Sequence, residues 1–425
     1  MPGIDTAPVS VALITSIAHN DNTTQNMHWY LGPKYKRLLV KHMPVLLAGV
    51  FAGYIVGSNR PLIEQGLTQR QHTTTAGSSL EYAGGFTEAE HRPCAQTRPS
   101  EQHPPPVKAA LVALVRNSDL YGMRTAIRQI EDRFNARHGY PYIFVNDVEF
   151  TEEFKRGVRD LTSANVSFGT LDRDSWKVPE WIDPAAYDHV KRTARYPHGE
   201  KDSYRKMCRF QSGYLHKHPL LAELDYYWRI EPDVEYYCDI DYDPFILMRD
   251  NGYKYAWNIA MAEFMETVPS LWNVTQQFIR SHRDTVAEHN MLEWLADADA
   301  DSDTGAYNGC HFWSNFEIVD LSFYRSREYQ LFFDYLDRSG GFFYERWGDA
   351  PVHSIAASLF LNASQIHYFD DIGYYHPSVI TCPADAQTRG RCVCDSAKSF
   401  VQNGYCTVRY KQIRQKVLGA QHATV

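Results

Sequence analysis

From Val107 onward the chain alternates short apolar runs with amphipathic stretches. Residues 107–117 read as a buried strand, and Ser118 can cap the segment that follows. There Leu120, Ile127, Ile130 and Phe134 recur at helical spacing. Residues 142–145 predict a second strand, 151–161 a second helix and 165–169 a third strand. Strands alternating with helices indicate a doubly wound α/β sheet, which holds its ligand at the carboxyl ends of its strands. Arg116 falls at the end of the first strand, a place to meet a nucleotide and also an ordinary place for an exposed arginine.

The stretch from Asp225 to Cys238 carries the sharpest signal. Aromatic and apolar residues run into Glu231-Pro232-Asp233 and then resume, which predicts a buried strand whose end presents two carboxylates to one place. A hard divalent cation, held by one or two carboxylates and sharing a substrate diphosphate, needs such a device. A plain turn after a strand, with both acids in solvent, is the competing reading.

Further along, residues 255–259 predict a strand and 271–279 a helix. The run Tyr307–Ile318 sets Glu317 among aromatics, where burial raises a carboxyl's pKa unless a cation or hydrogen-bond donors compensate. Asp349, with Pro351 two residues later, fits a helix N-cap as well as it fits a site acid. His376 closes the segment that begins at Ile366 and can be surface or a returning metal ligand.

The first hundred residues have a different texture. Residues 43–57 form a long uncharged apolar run behind Lys34, Lys36, Arg37 and Lys41. Extended back to Leu38, it predicts a signal anchor of marginal length at 38–57 with a cytoplasmic tail at 1–37; a cleaved signal peptide is the rival. Residues 58–106 have the Pro, Ser and Thr content of a stem, leaving 107–425 as the folded domain.

Composition narrows the ligand. Aromatic residues make up 14% of the chain, which suits stacking on sugar rings or bases, and a net charge of -8 argues against nucleic acid. Eight cysteines include four in the last fifth without zinc spacing, and Asn165, Asn273 and Asn362 head glycosylation acceptors. Together these favour an oxidising lumen.

Four motifs then converge. The runs Tyr204–Phe210, Tyr226–Asp233, Cys310–Ile318 and Phe343–His353 resemble those of the fungal α-1,2-mannosyltransferases of glycosyltransferase family 15. The resemblance spans roughly 107–410, and the N-terminal hundred residues do not share it. It implies a GT-A-like fold, with a central, mostly parallel mixed sheet flanked by helices, in a single-pass type II Golgi membrane protein with a lumenal catalytic domain. It further implies Mn²⁺ as cofactor, GDP-mannose as donor, a mannoside acceptor and retention of configuration. By the same resemblance Glu231 and His376 match metal ligands, Asp233 a second, water-mediated contact, and Arg116 a nucleotide contact. Glu317 matches the proposed nucleophile, with Tyr204 and Asp349 beside the reacting sugar. This chain has Tyr375-His376 where members often carry two histidines.

Retention arises either from a double displacement on a carboxylate or from front-face attack in which the leaving phosphate takes the acceptor proton. The sequence leaves both open. A different linkage, mannosylphosphate transfer, or a mannan-binding protein without turnover are the alternatives. The last would be expected to have lost acids of the set Glu231, Asp233, Glu317 and Asp349, and all four are present.

Overall fold

The strands expected from apolar runs form a seven-stranded sheet with order β12-β6-β11-β4-β1-β2-β3. Its members are β1 (Ala109–Leu114), β2 (Tyr142–Asn146), β3 (Val166–Thr170), β4 (Tyr226–Arg229), β6 (Tyr255–Trp257), β11 (Glu317–Asp320) and β12 (Ile366–Tyr368). All neighbours run parallel except β11, which lies antiparallel between β4 and β6. A small sheet pairs β5 (Glu235–Tyr236) with β13 (Tyr374–His376) and β13 with β14 (Val379–Thr381). Two hairpin-like pairs complete the strands: β7 (Ala260–Ala262) with β10 (Cys310–Phe312), and β8 (Ala296–Asp299) with β9 (Ser302–Tyr307). The computed structural model describes residues 106–423 apart from 300–301, 386–387, 389 and 402–403. The expected tail and anchor, nearly all of the stem, and Cys94 lie outside the described residues, and so does the unit 1–94. Among the described residues no helix is long and apolar enough to cross a membrane.

Period-two alternation sorts each strand between two cores. In β1, Ala110 and Val112 face one core while Ala109, Leu111 and Ala113 face the other. In β4, Tyr227 joins the first and Tyr226 and Trp228 the second. A sheet covered on both faces needs such unbroken apolar strands. The second core takes Met123, Ile127 and Ile130 of α1 (Leu120–Ile130) and Phe154 and Val158 of α2 (Glu152–Arg159). The first takes Phe210 of α3 (Asp202–Gly213), Phe332 and Phe333 of α4 (Arg327–Ser339), and Val352, Ile355 and Leu359 of α5 (Asp349–Phe360).

Disulfides join Cys238 to Cys392, Cys310 to Cys406 and Cys382 to Cys394, and Cys208 is a buried free thiol. Three sulfurs that crowd together, from Cys238, Cys392 and Cys394, belong to two of these bridges, so they offer no thiolate to a metal.

Candidate active site

Alternation along β4 puts Tyr227 and Arg229 on the face covered by α3 and α5. Arg229 is 5% exposed, and a buried guanidinium requires partners. It donates from Nε to Glu231 Oε1 at 2.9 Å and from Nη1 to Asp349 Oδ2 at 2.6 Å. Ser314 donates to the same Asp349 oxygen at 2.7 Å. Burial works against ionisation of Asp349, but Arg229, His353 and the Ser314 hydroxyl outweigh it and hold its pKa below the usual carboxylate value. Asp349 is the first residue of α5, after an N-cap at Gly348. Its carboxylate is therefore not the cap and instead pairs with Arg229 and Ser314 at the cleft wall, which overturns the capping reading.

Glu231 follows at the carboxyl end of β4, with its Oε2 3.3 Å from Nε2 of His376, the last residue of β13. Burial opposes its ionisation too; Arg229 and His376 prevail and bring it down to about 2. His376 Nδ1 is buried without a hydrogen-bond partner, and Trp313 meets the ring edge-on at 4.5 Å. Two ligand atoms that share an octahedral ion at about 2.1 Å sit about 3 Å apart, so this carboxylate and imidazole fit a divalent cation. Such a pair leaves most coordination positions to water or a substrate.

The expected pairing of Asp233 with Glu231 is not found. Asp233 adopts a left-handed backbone with φ 61°, and its side chain turns onto α1. A Cβ added at Gly122 would sit 2.4 Å from Asp233 Oδ1, so only glycine admits this approach. Glu231 alone faces the cleft.

That cleft has two lobes that meet at His198, Tyr204, Met207, Arg229 and Glu231. One, about 310 Å³, extends over the ends of β1 and β2 past Arg116, Asp119 and Asn146. The other, about 290 Å³, runs past Trp313, Asp349, Glu263 and Arg346. Tyr204 stacks on His198 at 4.4 Å, and the Arg346 guanidinium lies 5.3 Å from its ring centre; burial pushes its hydroxyl pKa well above the usual value. Arg116 lies in the first lobe as expected, with its Nε 3.1 Å from Asp119 on an exposed surface.

Glu317 does not line either lobe. It is fully buried and accepts from the hydroxyls of Tyr227, Tyr255 at 2.9 Å and Tyr324 at 3.3 Å, with His353 Nδ1 at 3.0 Å. Burial chiefly, and then Glu317's charge, push all three tyrosines' pKa values well above 10. The aromatic setting is as expected, and the acid lies beneath the cleft rather than on its surface. Asp349 and His353 stand one helical turn apart on α5, so one helix serves the cleft wall and the acid beneath it.

The arginine had gone unassigned in the sequence, as had Ser314, His353 and the Glu263–Arg346 pair, whose closest atoms are 3.4 Å apart. A lone arginine inside Tyr226–Ile230 was the available signal, because a charge in an apolar strand must be paired.

The sequence model of the family described as glycolipid 2-alpha-mannosyltransferase matches residues 70–415. The match begins well before residue 107, within the segment read as a stem. Alpha-1,2 mannosyltransferase KTR1 of Saccharomyces cerevisiae is 42% identical over 90% of this chain and 95% of its own length. Glycolipid 2-alpha-mannosyltransferase 1 of Candida albicans is 48% identical over 72% of this chain and 71% of its own. Among solved structures, core-mannan synthase A of Aspergillus fumigatus in its Mn/GDP form is 38% identical, with a TM-score of 0.66 over 72% of this chain and 82% of that one. The mannosyltransferase Ktr4p of S. cerevisiae in complex with GDP is 38% identical, with a TM-score of 0.69 over 73% and 82%.

Proposed function

The chain belongs to the glycolipid 2-alpha-mannosyltransferase family, glycosyltransferase family 15, and from that premise we propose how it works as a GDP-mannose-dependent α-1,2-mannosyltransferase with a GT-A-like fold. The observation that carries the reading is the Glu231–His376 pair in one cleft, with Glu231 lining both lobes and His376 the second. Bound there, Mn²⁺ would neutralise charge that grows on the GDP diphosphate as the glycosidic bond breaks. Glu231 and His376 are the residues that would hold it, with Asp233 reaching it at most through water.

The remaining chemistry falls to the chain itself. The lobe at β1 and β2 takes the nucleotide, with Arg116 at its rim. The lobe at Asp349 takes the sugars, with Tyr204 at the junction of the two. Arg229 fixes Glu231 and Asp349 relative to one another, so neither acid reorganises during reaction. Asp349 is the ionised acid on the sugar side and is placed to stabilise positive charge on the sugar ring or to receive it covalently. Glu317 lies below and orients three tyrosines and His353. The product keeps the α configuration of the donor.

We place the catalytic domain in the Golgi lumen behind the anchor at 38–57 and the stem at 58–106, acting on mannosides of N- or O-linked glycans. The three disulfides support an oxidising compartment. Purified protein given GDP-mannose, Mn²⁺ and methyl α-mannoside is expected to yield an α-1,2-linked dimannoside by linkage analysis. Another linkage, a mannosyl phosphodiester or no product overturns this assignment.

A further inference from the structure

A larger cavity, about 620 Å³, lies away from the cleft, between the edge strand β12 and the C-terminal helix α6 (Tyr405–Ala423). Tyr253, His367, Tyr368 and Tyr410 wall it, and Lys411 and Arg414 project from the helix side. Its volume falls in the range of about 300–1,000 Å³ usual for small-molecule sites. None of its lining residues belongs to either catalytic lobe.

Its charge runs against that of the chain. The protein carries -8, yet the charged side chains lining this cavity are two cations and one acid, Asp370. Asp370 reaches Lys411 at 3.9 Å, a loose and exposed contact. No carboxylate pairs with Arg414 among the described residues; its guanidinium meets the Tyr410 hydroxyl, while its Nε is buried without a hydrogen-bond partner. A guanidinium left this way beside a cavity is a ready acceptor of an anionic group.

The walls suit a sugar. Tyr253 stacks on His367 at 4.6 Å, and Tyr368 is held between Trp257 at 4.3 Å and the Lys411 ammonium at 5.0 Å. The platform is rigid, so a ligand orders little on binding. Burial, with Arg414 beside it, brings His367 down to about 4, which leaves a neutral ring able to hydrogen-bond hydroxyls. Gln415 adds an amide at the rim.

We propose that this cavity is a second saccharide site, specific for an anionic sugar, whose ring packs on the tyrosine wall while its anionic substituent engages Arg414 and Lys411. This rests on the reading of the chain as a mannoside-handling enzyme, and the site would hold a charged residue of the acceptor glycan remote from the reacting sugar.

The test uses the full chain with saturating GDP and Mn²⁺, so that the nucleotide lobe is occupied, and binding in the open sugar lobe is told apart by its insensitivity to Arg414→Ala. Mannose 6-phosphate, methyl α-mannoside and inorganic phosphate are titrated calorimetrically. Mannose 6-phosphate is expected to bind saturably and at least tenfold more tightly than either other probe. Arg414→Ala should weaken it at least tenfold and Arg414→Lys less, with transfer to methyl α-mannoside within twofold of wild type. Inorganic phosphate binding equally well, no saturable binding, or an Arg414→Ala affinity equal to wild type overturns the proposal. Lys411→Ala gives a second arm if Arg414→Ala folds poorly. Transfer measured on the same samples keeps failure here separate from failure of the catalytic assignment.

Discussion

Glu231→Gln removes one charge and preserves volume, so its consequences for fold and for function separate cleanly. Its side chain is 23% exposed, and its Oε1 receives Arg229 Nε at 2.9 Å. A glutamine oxygen can still accept that bond, and Arg229 keeps Asp349 at 2.6 Å. Only the ionic part of a largely buried pair is lost, about 3 kcal/mol, or a fall in Tm of about 6–12 °C. The effect on turnover is of another kind. The position of Oε2, which faces His376 Nε2 at 3.3 Å, would now carry an amide NH₂, a donor that cannot ligate a cation. Removing one preorganised electrostatic group at a reacting centre costs about 2.7–4 kcal/mol, or 10²–10³ in kcat. The assay is transfer from GDP-mannose to methyl α-mannoside across a manganese series, with Tm measured on the same preparation. Turnover within about tenfold of wild type, at the metal concentration that saturates wild type, would refute the metal-site reasoning.

Other expectations can be measured on the same protein. Glu317→Gln should lower kcat at least tenfold while GDP affinity stays within twofold, because Glu317 touches neither lobe; a loss of GDP affinity instead would assign it to the nucleotide. Burial chiefly holds His216 down at about 3, so between pH 6.5 and 3 the unfolded chain binds a proton that the native chain refuses. Stability is therefore complete above about pH 6.5 and falls on acidification, by about 3 kcal/mol at about pH 4.5; His216→Asn should flatten that slope in denaturant titrations, and an unaltered slope would count against it. Replacing Cys310 and Cys406 by serine opens a bridge of sequence separation 96 and should cost about 2–5 kcal/mol, read as a lower Tm. An unchanged Tm would show that the bridge constrains nothing.

Much of the fold was legible because its strands are buried on both faces and punctuated by helices of clear period. Strands β1 to β3 fall within three residues of the apolar runs that predict them. Insertion of β11 antiparallel between β4 and β6 was not legible, since the four residues from Glu317 to Asp320 reveal no direction of pairing. At the site, Glu231 was readable as a strand-end acid, and family resemblance joined His376 to it across 145 positions. Asp233 misled because alternation was carried through a turn: its left-handed φ of 61° breaks the period and sends the side chain to Gly122. Asp349 looked like a cap because local chemistry is all a short window contains, whereas its partner Arg229 lies 120 residues away. Glu317 kept its aromatic neighbours but lies below the cleft, a depth that no linear pattern encodes.

The Cys238–Cys392 bridge and the pairing of β5 with β13 tether the chain just after Glu231 to the chain around His376. During synthesis Glu231 is made long before His376, and Cys392, whose sulfur ties the two segments together, emerges later still. The pair that faces the cleft is thus complete only when the C-terminal segment has folded back beside β5.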